Sequence, residues 1–213
     1  MPQKPKNAET QADDQEMRGY YYDDAHGYEA YKPDAGLLTV YTIGHSTREF
    51  DEFVSLLKEN SIELLADVRS FPGSRKFPHF NGESLEVTLP EIGIEYIHLK
   101  QLGGRRRVNA DSKNTAWRND AFRGYADYMD TEDFRKGIDE LVDLAEEKRT
   151  AIMCSEAVWW RCHRSMISDF LKAAGVTVLH IMGAQKVAEH PYTAAARIVD
   201  GHLTYELPPE SGR

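Results

Sequence analysis

Only two cysteines, Cys154 and Cys162, occur among the 213 residues. So few thiols argue against a disulfide scaffold and for a reducing compartment. No apolar run approaches the roughly 20 residues that a bilayer-spanning helix needs, so no membrane partner is expected. Residues 1–15 hold no apolar stretch of the secretory type, and a cytoplasmic location is the resulting expectation. The P-loop pattern and the G-x-G-x-x-G dinucleotide fingerprint are both missing. No internal repeat is present.

What is there suits one ordinary globular domain. Hydrophobic residues make up 41% of the chain, enough for a core. The net charge is −9, which discourages a general nucleic-acid reading, but it is unevenly spread. Residues 1–36 carry four Lys/Arg against eight Asp/Glu, whereas residues 69–123 carry ten against six. A basic middle within an acidic protein creates a local field that attracts an anion; a mixed solvated surface is the plainer account. Residues 1–36, polar and then tyrosine-rich from Tyr20 to Tyr31, read as a partly disordered tail. Residues 37–213 read as the domain.

From Leu37 onward, short apolar runs alternate with amphipathic stretches. Strands are expected at 37–43, 62–68, 94–98, 150–153 and 176–181. A helix with Phe50, Phe53, Val54, Leu56 and Leu57 on its apolar face is expected after Glu49, and others near 82–91, 120–129, 132–148 and 163–173. Ser46-Thr47-Arg48-Glu49 matches a capping box for the first helix, Thr131 caps the fourth, and Gly175 closes the fifth. A small helix and an extended piece are expected within 194–207. The alternation predicts an α/β fold: a single three-layer domain with a mainly parallel sheet of about five strands, Rossmann-like without the dinucleotide fingerprint.

In such sheets ligands bind beyond the carboxyl ends of the strands. Every unusual polar cluster of the sequence follows a predicted strand. His45 and Ser46 follow the first, Asp67 and Arg69 end the second, Gly103 to Arg107 follow the third, and Cys154 to Glu156 follow the fourth. One shared rim is therefore expected. A cysteine at a strand end, near a helix N-terminus and cations, can exist as thiolate, which makes Cys154 a candidate nucleophile. Glu156 and His163 are candidate acid/base groups. His45, Ser46, Asp67, Arg69, Arg105, Cys162 and Arg164 are candidate ligand-binding residues, with Arg69, Arg105 and Arg164 gripping an anion. The alternatives are a buried, inert Cys154 within a polar network, and a structural Asp67–Arg69 pair. The spacing of Cys154, Cys162 and His163 is not one of the familiar zinc patterns, and no metal or cofactor is assigned.

Taken in order, several segments resemble one known family. They are Thr42-Ile43-Gly44-His45-Ser46-Thr47, Leu65-Ala66-Asp67-Val68-Arg69-Ser70-Phe71-Pro72 and Phe77-Pro78-His79-Phe80-Asn81. Leu102-Gly103-Gly104, Phe122-Arg123-Gly124-Tyr125-Ala126 and the set Cys154, Glu156, Cys162-His163-Arg164 continue the series. Together they are similar to the family called domain of unknown function 488 over about residues 38–207. The resemblance implies a compact α/β domain of prokaryotic type with a polar site at these motifs; it brings no reaction, substrate or cofactor. The Asp-Val-Arg strand end also resembles that of rhodanese domains, although the stretch from Cys154 to His163 is longer than their catalytic loop. The leading expectation is an enzyme-like pocket for a phosphate-bearing ligand, a nucleotide or nucleic acid. The alternatives are thiol-dependent sulfur transfer or redox chemistry at Cys154, and a noncatalytic binding module.

Overall fold

A computed structural model describes residues 38–208; the tail expected at 1–36 lies outside them. Five parallel strands form the body of the sheet. They are β1 (Thr39–Gly44), β2 (Leu64–Asp67), β3 (Glu95–His98), β4 (Thr150–Cys154) and β5 (Thr177–Gly183). A sixth strand, β6 (Lys186–Glu189), pairs antiparallel with β5. The strand order is β3-β2-β4-β1-β5-β6. Every residue of β2 and β4 is buried, as expected of strands inside a parallel sheet, and this explains their unbroken apolar runs. The helices are α1 (Phe50–Glu59), α2 (Gly82–Glu91), α3 (Asp120–Met129), α4 (Glu132–Glu147) and α5 (Arg164–Ala173). The protein is thus an α/β fold built on a mixed, mostly parallel sheet.

One core cluster joins Tyr41, Ile43, Leu65 and Met153 of the sheet to Phe53, Leu56 and Leu57 of α1 and to Leu85 and Leu89 of α2. These helical residues are spaced three and four apart, which puts them on the face turned toward the sheet. Local chemistry sets the helix ends. The Asn119 side chain accepts from the Ala121 and Phe122 amides to start α3, and Thr131 Oγ1 accepts from the Phe134 amide to start α4. Gly175, at φ +88°, follows the end of α5 as expected.

The topology creates a crevice. The chain leaving β2 moves toward β3, whereas the chain leaving β4 crosses to β5 on the other side. Adjacent strands whose connections diverge leave an opening at their carboxyl ends. Register keeps those ends level: Gly44 is opposite Cys154, and Asp67 is opposite Met153.

The expected capping box does not form. Glu49 is the N-cap of α1 and makes no side-chain cap bond, while Ser46 sits at φ +50°. The cause is that β1 keeps pairing past its end: the His45 amide donates to the Cys154 carbonyl and the Ser46 amide to that of Ser155. The chain is therefore still tied to the β4 loop where the capping box would have started a helix. The C-terminal region also differs from expectation. No helix forms within 194–207; the extended piece expected there is a hairpin of β7 (Arg197–Val199) and β8 (His202–Thr204). Its two turn residues, Asp200 at φ +51° and Gly201 at φ +84°, are the Asp-Gly pair that such tight turns favour.

Candidate functional site

The crevice between β2 and β4 is a cleft of about 440 Å³. Its floor is the end of β4 and the start of α5, with Cys154, Cys162 and His163. One wall is Arg69, Ser70 and Phe71 after β2; the other is Phe122 and Tyr125 of α3. Arg105, Glu156 and Arg161 also line it, and all three are exposed.

At the floor the two cysteine sulfurs lie 3.0 Å apart, and both cysteines are free and buried. Arg164 Nε approaches both, at 3.0 Å from Cys154 Sγ and 3.2 Å from Cys162 Sγ. This guanidinium is 1% exposed. Its other nitrogens donate to the Glu156 carbonyl at 2.6 Å and to Thr42 Oγ1 at 3.4 Å. Among the described residues no carboxylate lies within ion-pair distance of it. A buried cation needs a counter-charge, and among the described residues the two sulfurs are the groups placed to supply one. Burial and the hydrogen bond shared with Cys162 push the Cys154 thiol well up. For Cys162 burial acts in the same sense, but the Cys154 S–H, the Arg164 charge and His163 outweigh it and pull the thiol well down. The two sulfurs are close enough to share one proton, and either can be its donor.

Two glycines allow this packing. A Cβ on Gly44 would come within 1.8 Å of the Glu156 carbonyl oxygen and 2.9 Å of an Arg164 nitrogen. A Cβ on Gly104 would lie 2.4 Å from His163 Nδ1. Backbone without a side chain is the only structure that fits at either position. His163 Nε2 donates to the Val68 carbonyl at 2.7 Å, so the lone pair of the neutral ring is on Nδ1. Burial lowers the basicity of this ring.

The candidate residues separate into two sets. Cys154, Glu156, Cys162, His163, Arg69 and Arg105 come together around the cleft. His45, Ser46, Asp67 and Arg164 do not line it. Asp67 is fully buried and binds Arg69 Nε and NH2, with Tyr96 donating to it as well. Arg69 also donates to the Phe80 carbonyl, so this pair fastens the 69–80 loop and leaves Arg69 little freedom to grip a ligand. His45 is stacked on Phe80 at 4.4 Å, and burial, then the Arg69 charge, lower its pKa to about 4. Arg164 is directed at the sulfurs rather than toward solvent, which corrects its expected role as an anion clamp. Glu156 meets Arg164 through its backbone carbonyl, not its carboxylate. Tyr125, whose hydroxyl donates to the Leu102 carbonyl at 2.8 Å, and Thr42 behind Arg164 are site residues that sequence reasoning did not single out.

Among the described residues no cluster of three or more His, Cys, Asp or Glu is arranged to hold a metal ion. No helix among them is long and apolar enough to cross a membrane. Comparison with curated proteins and with solved structures finds no match. A family model does match, over residues 49–171, from the start of α1 to near the end of α5 and across both cysteines. Spanning more than half of the chain, this match establishes that the protein belongs to the family described as domain of unknown function DUF488.

Proposed function

We propose that this protein is a thiol-dependent enzyme that acts on a small anionic substrate held in the cleft, with the Cys154–Cys162 pair as its nucleophile. One observation carries the reading: a buried guanidinium with no carboxylate partner lies 3.0 and 3.2 Å from two sulfurs. A cation so placed stabilises thiolate at neutral pH, and thiolate is the reactive form. We assign the nucleophilic role to Cys162 rather than to Cys154, which the sequence suggested; either sulfur can donate the S–H between them. Nδ1 of His163 is free to accept a proton, and Glu156 offers an exposed carboxylate at the cleft wall. Arg105 and Arg161 at the mouth supply the attraction for an anion. A reducing, cytoplasmic setting belongs to this reading, because it keeps both thiols free.

Alkylation of the full-length protein with neutral iodoacetamide and anionic iodoacetate provides the test. The expected result is rapid labelling of Cys162 below pH 7, lost in Cys162→Ser, with iodoacetate favoured relative to its ratio on a free thiol. Labelling that begins only above pH 8.5, or no labelling of the folded protein, would overturn the proposal.

A second reading is binding of a phosphate-bearing ligand, a nucleotide or nucleic acid, without covalent chemistry. Its support is Arg105 lying over the exposed Phe71 ring at 5.6 Å, a cation beside an aromatic surface on which a base could stack. It predicts a rise in melting temperature with nucleotides or short oligonucleotides at low salt, undiminished in Cys162→Ser. No shift with any of them would rule it out.

A further inference from the structure

We infer that Thr42, His180, His190 and Asp169 are positioning residues for the thiol pair, forming one buried hydrogen-bonded chain that holds the Arg164 guanidinium against the sulfurs. The inference rests on the thiolate reading above and extends it to residues outside the cleft.

The chain is continuous. Arg164 NH1 donates to Thr42 Oγ1 at 3.4 Å, and Thr42 Oγ1 lies 2.7 Å from His180 Nδ1. His180 Nε2 is 2.9 Å from His190 Nδ1, and His190 Nε2 is 3.0 Å from Asp169 Oδ1. Thr42, His180, His190, Asp169 and Arg164 are each no more than 1% exposed. Asp169 is held in turn by the Thr193 amide at 2.8 Å, the Thr193 hydroxyl at 2.6 Å and the Tyr205 hydroxyl at 2.9 Å.

The direction of these bonds follows from donor chemistry. A carboxylate only accepts, so His190 Nε2 donates to Asp169. Where His180 Nε2 donates to His190 Nδ1, His180 Nδ1 accepts from the Thr42 hydroxyl. That leaves a lone pair of Thr42 for Arg164. In this arrangement each donor points away from the guanidinium and toward the carboxylate. Burial, then His190 and Arg164, lower the His180 pKa to about 3, in keeping with a neutral ring.

Sheet and helix geometry explain why these residues meet. Thr42 and His180 are partners across the β1–β5 pair, so their side chains are neighbours on one face. His190 follows β6, its amide tied to the Val178 carbonyl. Arg164 and Asp169 both belong to α5, so the chain leaves that helix, crosses two strands and returns to it. Trp159, just before Cys162, stacks flat on His180 at 4.4 Å and edge-on to His190 at 4.9 Å. A row of fully buried polar groups costs stability unless each is satisfied, and here each is. An apolar layer would serve a purely structural role more simply.

The test reads the pH midpoint of iodoacetamide alkylation in the full-length protein. Apart from Arg164, the titratable groups facing the sulfurs are His163 beside Cys162, Tyr125 of α3, and Glu156, whose amide reaches Cys154 Sγ at 3.4 Å. Arg69, Arg105 and Arg161 share the cleft. All of these stay in place in the variants used. Thr42→Val, which keeps the shape and removes the hydroxyl, is expected to raise the midpoint by about one pH unit, a roughly tenfold slower reaction below it. Thr42→Ser should restore the wild-type midpoint. Asp169→Asn is the second variant, expected to shift in the same direction, and covers the case in which Thr42→Val does not fold. A lower urea midpoint with an unchanged alkylation midpoint in both variants would reduce the chain to a structural role and overturn the inference. If the wild type itself shows no thiolate below pH 7, it is the thiolate reading that has failed.

Discussion

At the residue scale, the decisive group is Arg164. Its guanidinium has left water for a site 1% exposed, where Nε lies 3.0 and 3.2 Å from two sulfurs. Removing one partner of a buried ion pair costs about 3–5 kcal/mol, more than most single surface contacts contribute. Gly44 is the residue whose smallness lets that arrangement form. Gly44→Ala is expected to destabilise the fold by about 1–3 kcal/mol, because the added methyl collides with backbone that cannot give way. It should also slow alkylation at Cys162 by pushing Arg164 aside. Urea unfolding and labelling rates check both parts, and an unchanged urea midpoint would show that the loop at Glu156 yields freely.

At the element scale, the α3 wall of the cleft depends on its cap. Asn119→Ala should cost about 1 kcal/mol by leaving the Ala121 and Phe122 amides without their acceptor, whereas Asn119→Asp should keep most of it. Urea midpoints of the two variants separate these outcomes; equal losses would mean that the cap does not contribute. Most elements were legible because period and chemistry agreed. Glu91 ends α2, Met129 ends α3 and Thr131 caps α4 as the sequence suggests. β6 was not legible: all four of its residues are exposed, so no apolar alternation marks it. Ser46 misled, because a good local capping pattern lost to continued pairing with the β4 loop. At the Asp200-Gly201 hairpin only the turn was legible, from its Asp-Gly pair. Its strands are three residues each, shorter than any periodicity can reveal.

At the scale of the whole molecule, strand order explains why residues some ninety positions apart, such as Arg69 and Glu156, line one cleft. The rule that ligand groups follow parallel strands picks out the strand ends that border the cleft, but it does not distinguish a side chain facing solvent from one facing the core. Asp67 and His45 went inward for that reason, and His180, His190 and Asp169 gave no local sign at all. The inward histidines have a global consequence. The pKa values of His45 and His180 fall from about 6.5 to about 4 and about 3 in the fold. Between those values and 6.5 the unfolded chain binds more protons than the native one, so stability is full above about pH 6.5 and declines as pH falls toward 4 and then 3. His45 alone accounts for about 3 kcal/mol of that loss. The melting temperature should therefore drop across pH 6.5 to 4, and His45→Gln should flatten the curve. A wild-type curve level down to pH 4 would contradict the buried neutral rings.

The cleft is built from two kinds of material. Its floor belongs to hydrogen-bonded strands and the helix they support, while much of its rim is connecting chain around Phe71, Arg105 and Arg161. On the proposed reading, chemistry and selectivity are thus housed in separate parts of the molecule. Exchanging a rim segment would change what is admitted while the sulfurs stay where the sheet holds them.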